Sequence, residues 1–395
     1  MKKPELLAPA GDLEKLKIAV LYGADAVFVG SKEFSLRSRA SNFTIEDLYE
    51  GAKFCHEHGA KLYVTTNIVP HNSDLIGLID YLEDLENAGV DAIICSSYAV
   101  MYIAKRYTNL EVHISTQQSV ANSLAVKFYE EYGATRVVLA RELSIRQIEE
   151  IKKNTNAELE VFIHGGMCSS YSGRCMLSNH MTNRDANRGG CAHSCRWNYD
   201  LFMGETKISD EDKFQFSSKD LMAVYQLERL FSCADSLKIE GRMKSIHYIA
   251  TVVKVYRMLI DEYFETGKIE DLDYCKKEIE KAENRLCSHG FLEGMTTVKE
   301  QLYNMRSENP TQDFVGIILD YNEETQTALV EVRNHFKPNS TLEAFGPNLR
   351  STKFQITNII NEKGEEVDAA RHPKEHVYIH SPIKLSKYDM IRLVR

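Results

Sequence analysis

One pattern recurs through the first 160 residues and constrains the fold more than any other feature. An amphipathic stretch ends at a glycine, and a short β-branched run follows almost at once. LEKLKIAVLYG leads to ADAVFVG, LYEGAKFCHEHG to AKLYVTTNIV, LIGLIDYLEDLENAG to VDAIICSS, and VKFYEEYG to ATRVVLARE. Gly23, Gly59, Gly89 and Gly133 sit where the residue after a helix must turn left-handed, which glycine does without steric cost. Each following run is almost wholly apolar. That suits a strand with helices on one side and a barrel core on the other, and does not suit one face open to water.

The chain offers eight such strands: PELLAPA, DAVFVGS, KLYVTTN, DAIICSS, LEVHIST, TRVVLAR, LEVFIHG and DSLKIEG. A helix is expected after each of the first six, some behind capping residues such as Thr44 and Ser144. The seventh opens into a long irregular insert, and the eighth leads to IHYIATVVKVYRMLIDEYF, about five helical turns. This alternation implies parallel strands with right-handed crossovers, and eight units fit a (β/α)8 barrel. No GxGxxG follows the first strand, which weakens a dinucleotide-binding alternative. The expected plan is an α/β, TIM-like barrel over residues 1–262, with a Cys-rich insert at about 165–215. A charged helical linker over 263–308 then leads to a small all-β barrel over 309–395, where short alternating runs replace the longer pattern.

Composition narrows the class. With 395 residues, 43% of them hydrophobic, the chain can bury more than one core. No run approaches the roughly 20 apolar residues of a membrane helix. MKKPELLAPAGD has no apolar signal-peptide segment, so a cytoplasmic protein away from the membrane is expected. Nine cysteines, clustered and odd in number, then favour a metal site or free thiols over a disulfide framework.

Function in a (β/α)8 protein belongs at the C-terminal ends of the strands. Polar residues stand there: Asn67, Ser96, Ser97, Ser115, Gln117, Gln118, Arg141, Glu142, His164, Lys238, Glu240 and Arg242. Arg141, Lys238 and Arg242 would place positive charge at the mouth, suited to an anionic small molecule, while Glu142, Glu240 or His164 could move protons. In the insert, Cys168, Cys175, Cys191 and Cys195 have the spacing C-x6-C-x15-C-x3-C among many glycines. Four thiolates in such loops can converge on one soft metal centre, and spacing leaves zinc and iron–sulfur open. Cys233 is the one competing ligand, while Cys55 and Cys95 fall in core positions. The same insert carries Arg174, Arg184, Arg188 and Arg196 against a single acid, Asp185, with Tyr171, Trp197 and Tyr199 nearby. Such a set suits phosphate contact and base stacking, although the net charge of −9 argues against nonspecific polyanion binding. HExxH, GxSxG and Walker A motifs are missing. A cysteine nucleophile with His164 or His193 stays open as a protease reading.

At ELLAPAGD, GADAVFVG, EVFIHGGMCSSYSGRCMLS, NRGGCAHSCRW and SLKIEGRMKS the sequence resembles the peptidase U32 family, over nearly its whole length. It is most similar to the subgroup of tRNA 5-hydroxyuridine modification proteins. That resemblance implies prephenate-dependent hydroxylation of the wobble uridine in the tRNA anticodon loop, a [4Fe-4S] cluster, and a second U32-family subunit as a partner. The cluster ligands it implies are Cys168, Cys175, Cys191 and Cys195, with zinc as the alternative metal and Cys233 as an alternative last ligand. The family's older label implies a collagenase-like peptidase instead, and a cluster-bearing partner without catalysis of its own is a third reading.

Overall fold

The computed structural model describes residues 2–31, 34, 42–209, 213–282, 285–302 and 311–394. Strands β1 (Glu5–Pro9), β2 (Ala26–Gly30), β3 (Lys61–Thr66), β4 (Ala92–Cys95), β5 (Glu111–Ile114), β6 (Arg136–Val138) and β7 (Glu158–Gly165) run in order. Helices α1 (Leu13–Leu21), α2 (Ile45–Glu57), α3 (Leu78–Asn87), α4 (Tyr98–Tyr107), α5 (Ser123–Glu131) and α6 (Ile145–Lys153) follow the first six. The four repeat glycines all adopt positive φ, between 73° and 106°. Thr44 accepts from the Asp47 amide to start α2, and the Gln147 side chain accepts from the Ser144 amide to start α6.

Beyond β7 come α7 (Leu177–Thr182), a hairpin of β8 (Phe202–Met203) and β9 (Thr206–Lys207), then β10 (Asp220–Met222) and α8 (Leu227–Leu230). The eighth barrel strand is β11 (Ser236–Ile239), which pairs in parallel with both β1 and β7 and closes the ring. Two additions were not expected. Strand β10 runs antiparallel along the end of β7, and β12 (Cys287–Ser288) pairs with β10. Pairings of two or three residues leave no alternation to read in a sequence.

The segment expected as a linker is folded onto the barrel. Helix α9 (Ile246–Thr266) packs against α1 and β1, and α10 (Leu272–Ile279) packs against α9. Cys275, Ile279, Ala282 and Leu292 enter the barrel's own hydrophobic core. The junction expected at 308/309 lies outside the described residues.

The C-terminal strands are β13 (Gln312–Asn322), β14 (Thr327–Val332), β15 (Thr341–Phe345), β16 (Thr352–Gln355), β17 (Ile360–Asn361), β18 (His376–His380) and β19 (Met390–Val394). They pair antiparallel in the order β16-β15-β19-β13-β14-β18-β17 around a second core that includes Val315, Val330, Phe336 and Ile391. Among the described residues β16 and β17 are left as its ends. The expected small barrel is therefore an open half-barrel.

Charge sits at the bottom of the main barrel. Glu160 is fully buried; Lys238 donates to it at 2.7 Å, and Arg136 reaches Glu5 at 2.5 Å and Glu158 at 2.7 Å. Burial alone would raise the Glu160 carboxyl, but Lys238 and Arg136 outweigh it and hold it below the ordinary value. A second buried group joins the half-barrel to the barrel. Arg392, fully buried on β19, donates to His247 at 2.8 Å and Thr251 at 2.8 Å on α9, and to Glu278 and Glu343 at 3.2 Å each. Burial pushes the Glu278 carboxyl up, yet Lys281 and Arg392 together hold it below the usual value.

Removing Arg392 leaves buried carboxylates short of a partner, so Arg392→Ala is expected to cost about 3–5 kcal/mol in denaturant unfolding. Because the Glu278 pKa is depressed by folding, its contribution is present above the unfolded carboxyl pKa and is lost as pH falls through the folded one. The wild type should therefore lose stability below about pH 4. The Ala variant should show a shallower decline over the same window.

Candidate active site

The mouth is built by close backbone approach. A Cβ on Gly165, at the end of β7 with φ +105°, would lie 2.3 Å from the Glu240 carbonyl oxygen. One on Gly11, after β1, would lie 2.4 Å from the Arg242 carbonyl oxygen. These two glycines let the loop after β11 settle against the strands on either side, which brings Glu240 and Arg242 to the cavity wall. Beneath the insert lies a cavity of about 590 Å³.

All four cysteines of the insert line this cavity, together with Arg141, Arg196, Lys238, Glu240 and Arg242. Cys168 and Cys191 are exposed, and Cys175 and Cys195 are partly so. The Leu177 amide donates to the Cys175 sulfur at 3.3 Å, and Cys168 Sγ lies 3.1 Å from Ser170 Oγ. Burial raises the Cys195 thiol pKa, with Arg196 opposing and the neighbouring Cys168 and Cys191 adding to the rise. Cys233 is elsewhere: its thiol faces the Arg229 and Leu230 carbonyls just ahead of β11, at the far end of the barrel, and burial pushes it up to about 12. Cys55 and Cys95 are buried core thiols, as expected.

Four soft donors open to one cavity suit a thiolate-bound centre. Among the described residues no three His, Cys, Asp or Glu side chains converge at single-ion distance.

The expected mouth residues divide into two groups. Arg141 donates to the Gly166 carbonyl at 2.6 Å, lies 3.7 Å from the Glu240 carboxylate and stacks 3.7 Å above the Phe162 ring. Arg242 donates to Thr65 at 3.3 Å. Lys238 lines the cavity, with its ammonium on Glu160 and 4.3 Å from the Phe28 ring centre. Two candidates face elsewhere. His164 is buried behind the wall, 3.3 Å from the Tyr256 hydroxyl and between α9 rings, because alternate side chains of a strand point to opposite faces. Glu142 accepts from the Ser172 amide at 2.7 Å and the Ser172 hydroxyl at 2.5 Å, so it clamps the cysteine loop and does not line the cavity.

The expected RNA-contacting arginines divide as well. Arg174 is exposed and donates to Gln118 at 3.0 Å, and Trp197 is exposed. Arg184 is half-buried in the turn after α7 and does not line the cavity. Arg188 is tied to Asp74 at 2.9 Å. Arg196 lines the cavity; one guanidinium nitrogen donates to Met167 at 3.0 Å, and the other is buried without a hydrogen-bond partner among the described residues.

Residues 11–302 match the family model for peptidase family U32, and 310–392 match that for the U32 C-terminal domain. The chain belongs to peptidase family U32. This U32 chain is 49% identical over 407 aligned residues to tRNA hydroxylation protein P1 of Bacillus subtilis strain 168, covering 99% of itself and 95% of that protein. It is 35% identical to tRNA hydroxylation protein P of Haemophilus influenzae, covering 96% of itself and 94% of that protein. It is 37% identical to the 23S rRNA 5-hydroxycytidine C2501 synthase of Escherichia coli K12, covering 66% of itself and 40% of that protein.

Sequence reasoning missed three charged residues of the U32 cavity. Asp220 and Arg285 pair at 3.1 Å across the β10 and β12 edge, and Lys244 follows the β11 loop. Only the unexpected pairing of β12 brings Arg285 to the mouth.

Ser172 holds a left-handed backbone, φ +48°, against the Glu142 carboxylate. Glu142→Ala is expected to lose about 1.5–3 kcal/mol, the worth of hydrogen bonds to a charged group. It should also speed alkylation of Cys168 and Cys175 in metal-free protein, read by mass spectrometry, while Cys233 reacts as in the wild type.

Proposed function

We propose that this U32 chain is a cytoplasmic enzyme that hydroxylates the wobble uridine of tRNA to 5-hydroxyuridine. The observation that carries the reading is the shared cavity: four thiols of the insert and the cationic mouth open on the same space, in a chain with near full-length likeness to named tRNA hydroxylation proteins. A uridine in a single-stranded anticodon loop is cheap to unstack, and a cavity of about 590 Å³ has room for a flipped base. Exposed Arg174 and Trp197, on the rim of the insert, are suited to phosphate and ring contact.

The co-substrate is an anion, and prephenate fits the charge. Arg141, Arg242 and Arg196 present guanidinium groups to the cavity, and the unpartnered nitrogen of Arg196 is a buried donor that a carboxylate would satisfy. Of the two carboxylates lining the cavity, Glu240 is the one placed to exchange a proton with bound substrate, since Asp220 is paired with Arg285, while Glu142 is committed to the loop and His164 lies behind the wall.

Cys168, Cys175, Cys191 and Cys195 would hold a [4Fe-4S] cluster, which when bound supplies one-electron chemistry or a rigid staple for the insert. Zinc on the same four thiolates is the alternative, and iron, sulfide and zinc analysis of the purified chain distinguishes the two.

Nucleoside mass spectrometry of tRNA from a deletion strain tests the reading. Derivatives of 5-hydroxyuridine should vanish, return with the wild-type copy and stay absent with Cys168→Ser. Unchanged tRNA nucleosides would overturn it. Glu240→Gln should restore the modification about 10²–10⁴-fold more slowly, the usual worth of a general acid or base.

A further inference from the structure

Helices α4 and α5 lie side by side on the barrel's outer face and carry an apolar surface that nothing among the described residues covers. Tyr98, Tyr102 and Arg106 fall four residues apart along α4, while Leu124, Phe128 and Tyr132 do the same along α5 and its C-cap. Leu124 is 76% exposed, Tyr132 64% and Tyr102 63%. A barrel helix normally turns polar residues to water at these positions. The rings touch one another: Phe128 lies 4.7 Å from Tyr132 and 6.2 Å from Tyr98 between centres. The result is one contiguous patch, not a scatter of single exposures.

We infer that this face is the interface with a second copy of the chain. Charge selects the occupant. Lys105 and Arg106 close the C-terminal end of α4, and Glu130 and Glu131 close that of α5; none of the four makes an ion pair among the described residues. The two helix ends are neighbours, since a Cβ on Gly133 would lie 3.0 Å from the Lys105 side chain. A two-fold axis parallel to the helices sets α4 of each copy against α5 of the other. Each basic end then meets an acidic end, so the patch is complementary to itself, as an isologous interface must be. The rows at four-residue spacing supply ridges for helix packing. An RNA strand is a poorer fit, because Glu130 and Glu131 border the aromatic rows and repel a polyanion. The same axis leaves both mouths on one side of the dimer, clear of the interface.

Sedimentation equilibrium of the full chain tests this. The wild type should sediment at twice 45.1 kDa. Phe128→Glu should raise the dimer dissociation constant roughly tenfold or more with an unchanged melting temperature, the effect expected from one buried aromatic anchor. Lys105→Glu with Arg106→Glu should weaken the dimer, as should Glu130→Lys with Glu131→Lys, and the four changes together should restore it. A monomeric wild type would overturn the proposal. So would a Phe128→Glu protein that still dimerises, charge reversals whose combination fails to recover, or a patch whose mutation lowers only tRNA affinity.

Discussion

Two neighbouring side chains hold the site together. Arg141 and Glu142, straight after β6, grip the loop that carries Cys168 at both ends: the guanidinium takes the Gly166 carbonyl, and the carboxylate takes the Ser172 amide and hydroxyl. The loop between those anchors spans the barrel mouth, so the first thiol is fixed relative to the strands below it. Arg141 also faces Glu240 and covers Phe162, which ties the ends of β6, β7 and β11 into one rim. A change at either residue therefore acts on the insert and on the cavity together.

Below the rim, the barrel places ions where many such barrels stack apolar side chains. Glu160 is compatible with full burial only because Lys238 and Arg136 reach it. Lys238 thus connects the floor network to the cavity, and its ammonium is already partly satisfied. Arg141 and Arg242 on the rim are engaged in the same way, the first with Gly166 and Glu240 and the second with Thr65. Arg392 plays the corresponding part between the half-barrel and α9, with each of its three guanidinium nitrogens directed to a named acceptor.

Much of this was legible in the sequence because the repeat is local. The eight barrel strands and six helices follow from apolar runs, capping residues and left-handed glycines, each readable within about a dozen positions. The four insert cysteines were legible too, and the structure places all four on one cavity. What escaped depends on distant pairing. Strands β10 and β12 are too short to carry a period, so Asp220 and Arg285 could not be assigned to the mouth. His164 and Glu142 stand at strand ends as catalytic residues would, but the facing of each side chain is decided by strand pleat and loop docking. One turns to Tyr256 and the other to Ser172.

On the proposed reading, the four thiols of the insert would hold one inorganic centre over the barrel mouth. Iron and acid-labile sulfide, quantified on anaerobically purified chain and on single Cys→Ser variants, test it most directly. About four of each per chain are expected. Both should be lost in the variants at Cys168, Cys175, Cys191 and Cys195 and retained in Cys233→Ser. Stoichiometric zinc in place of iron, or iron that survives Cys195→Ser and disappears with Cys233→Ser, would contradict it.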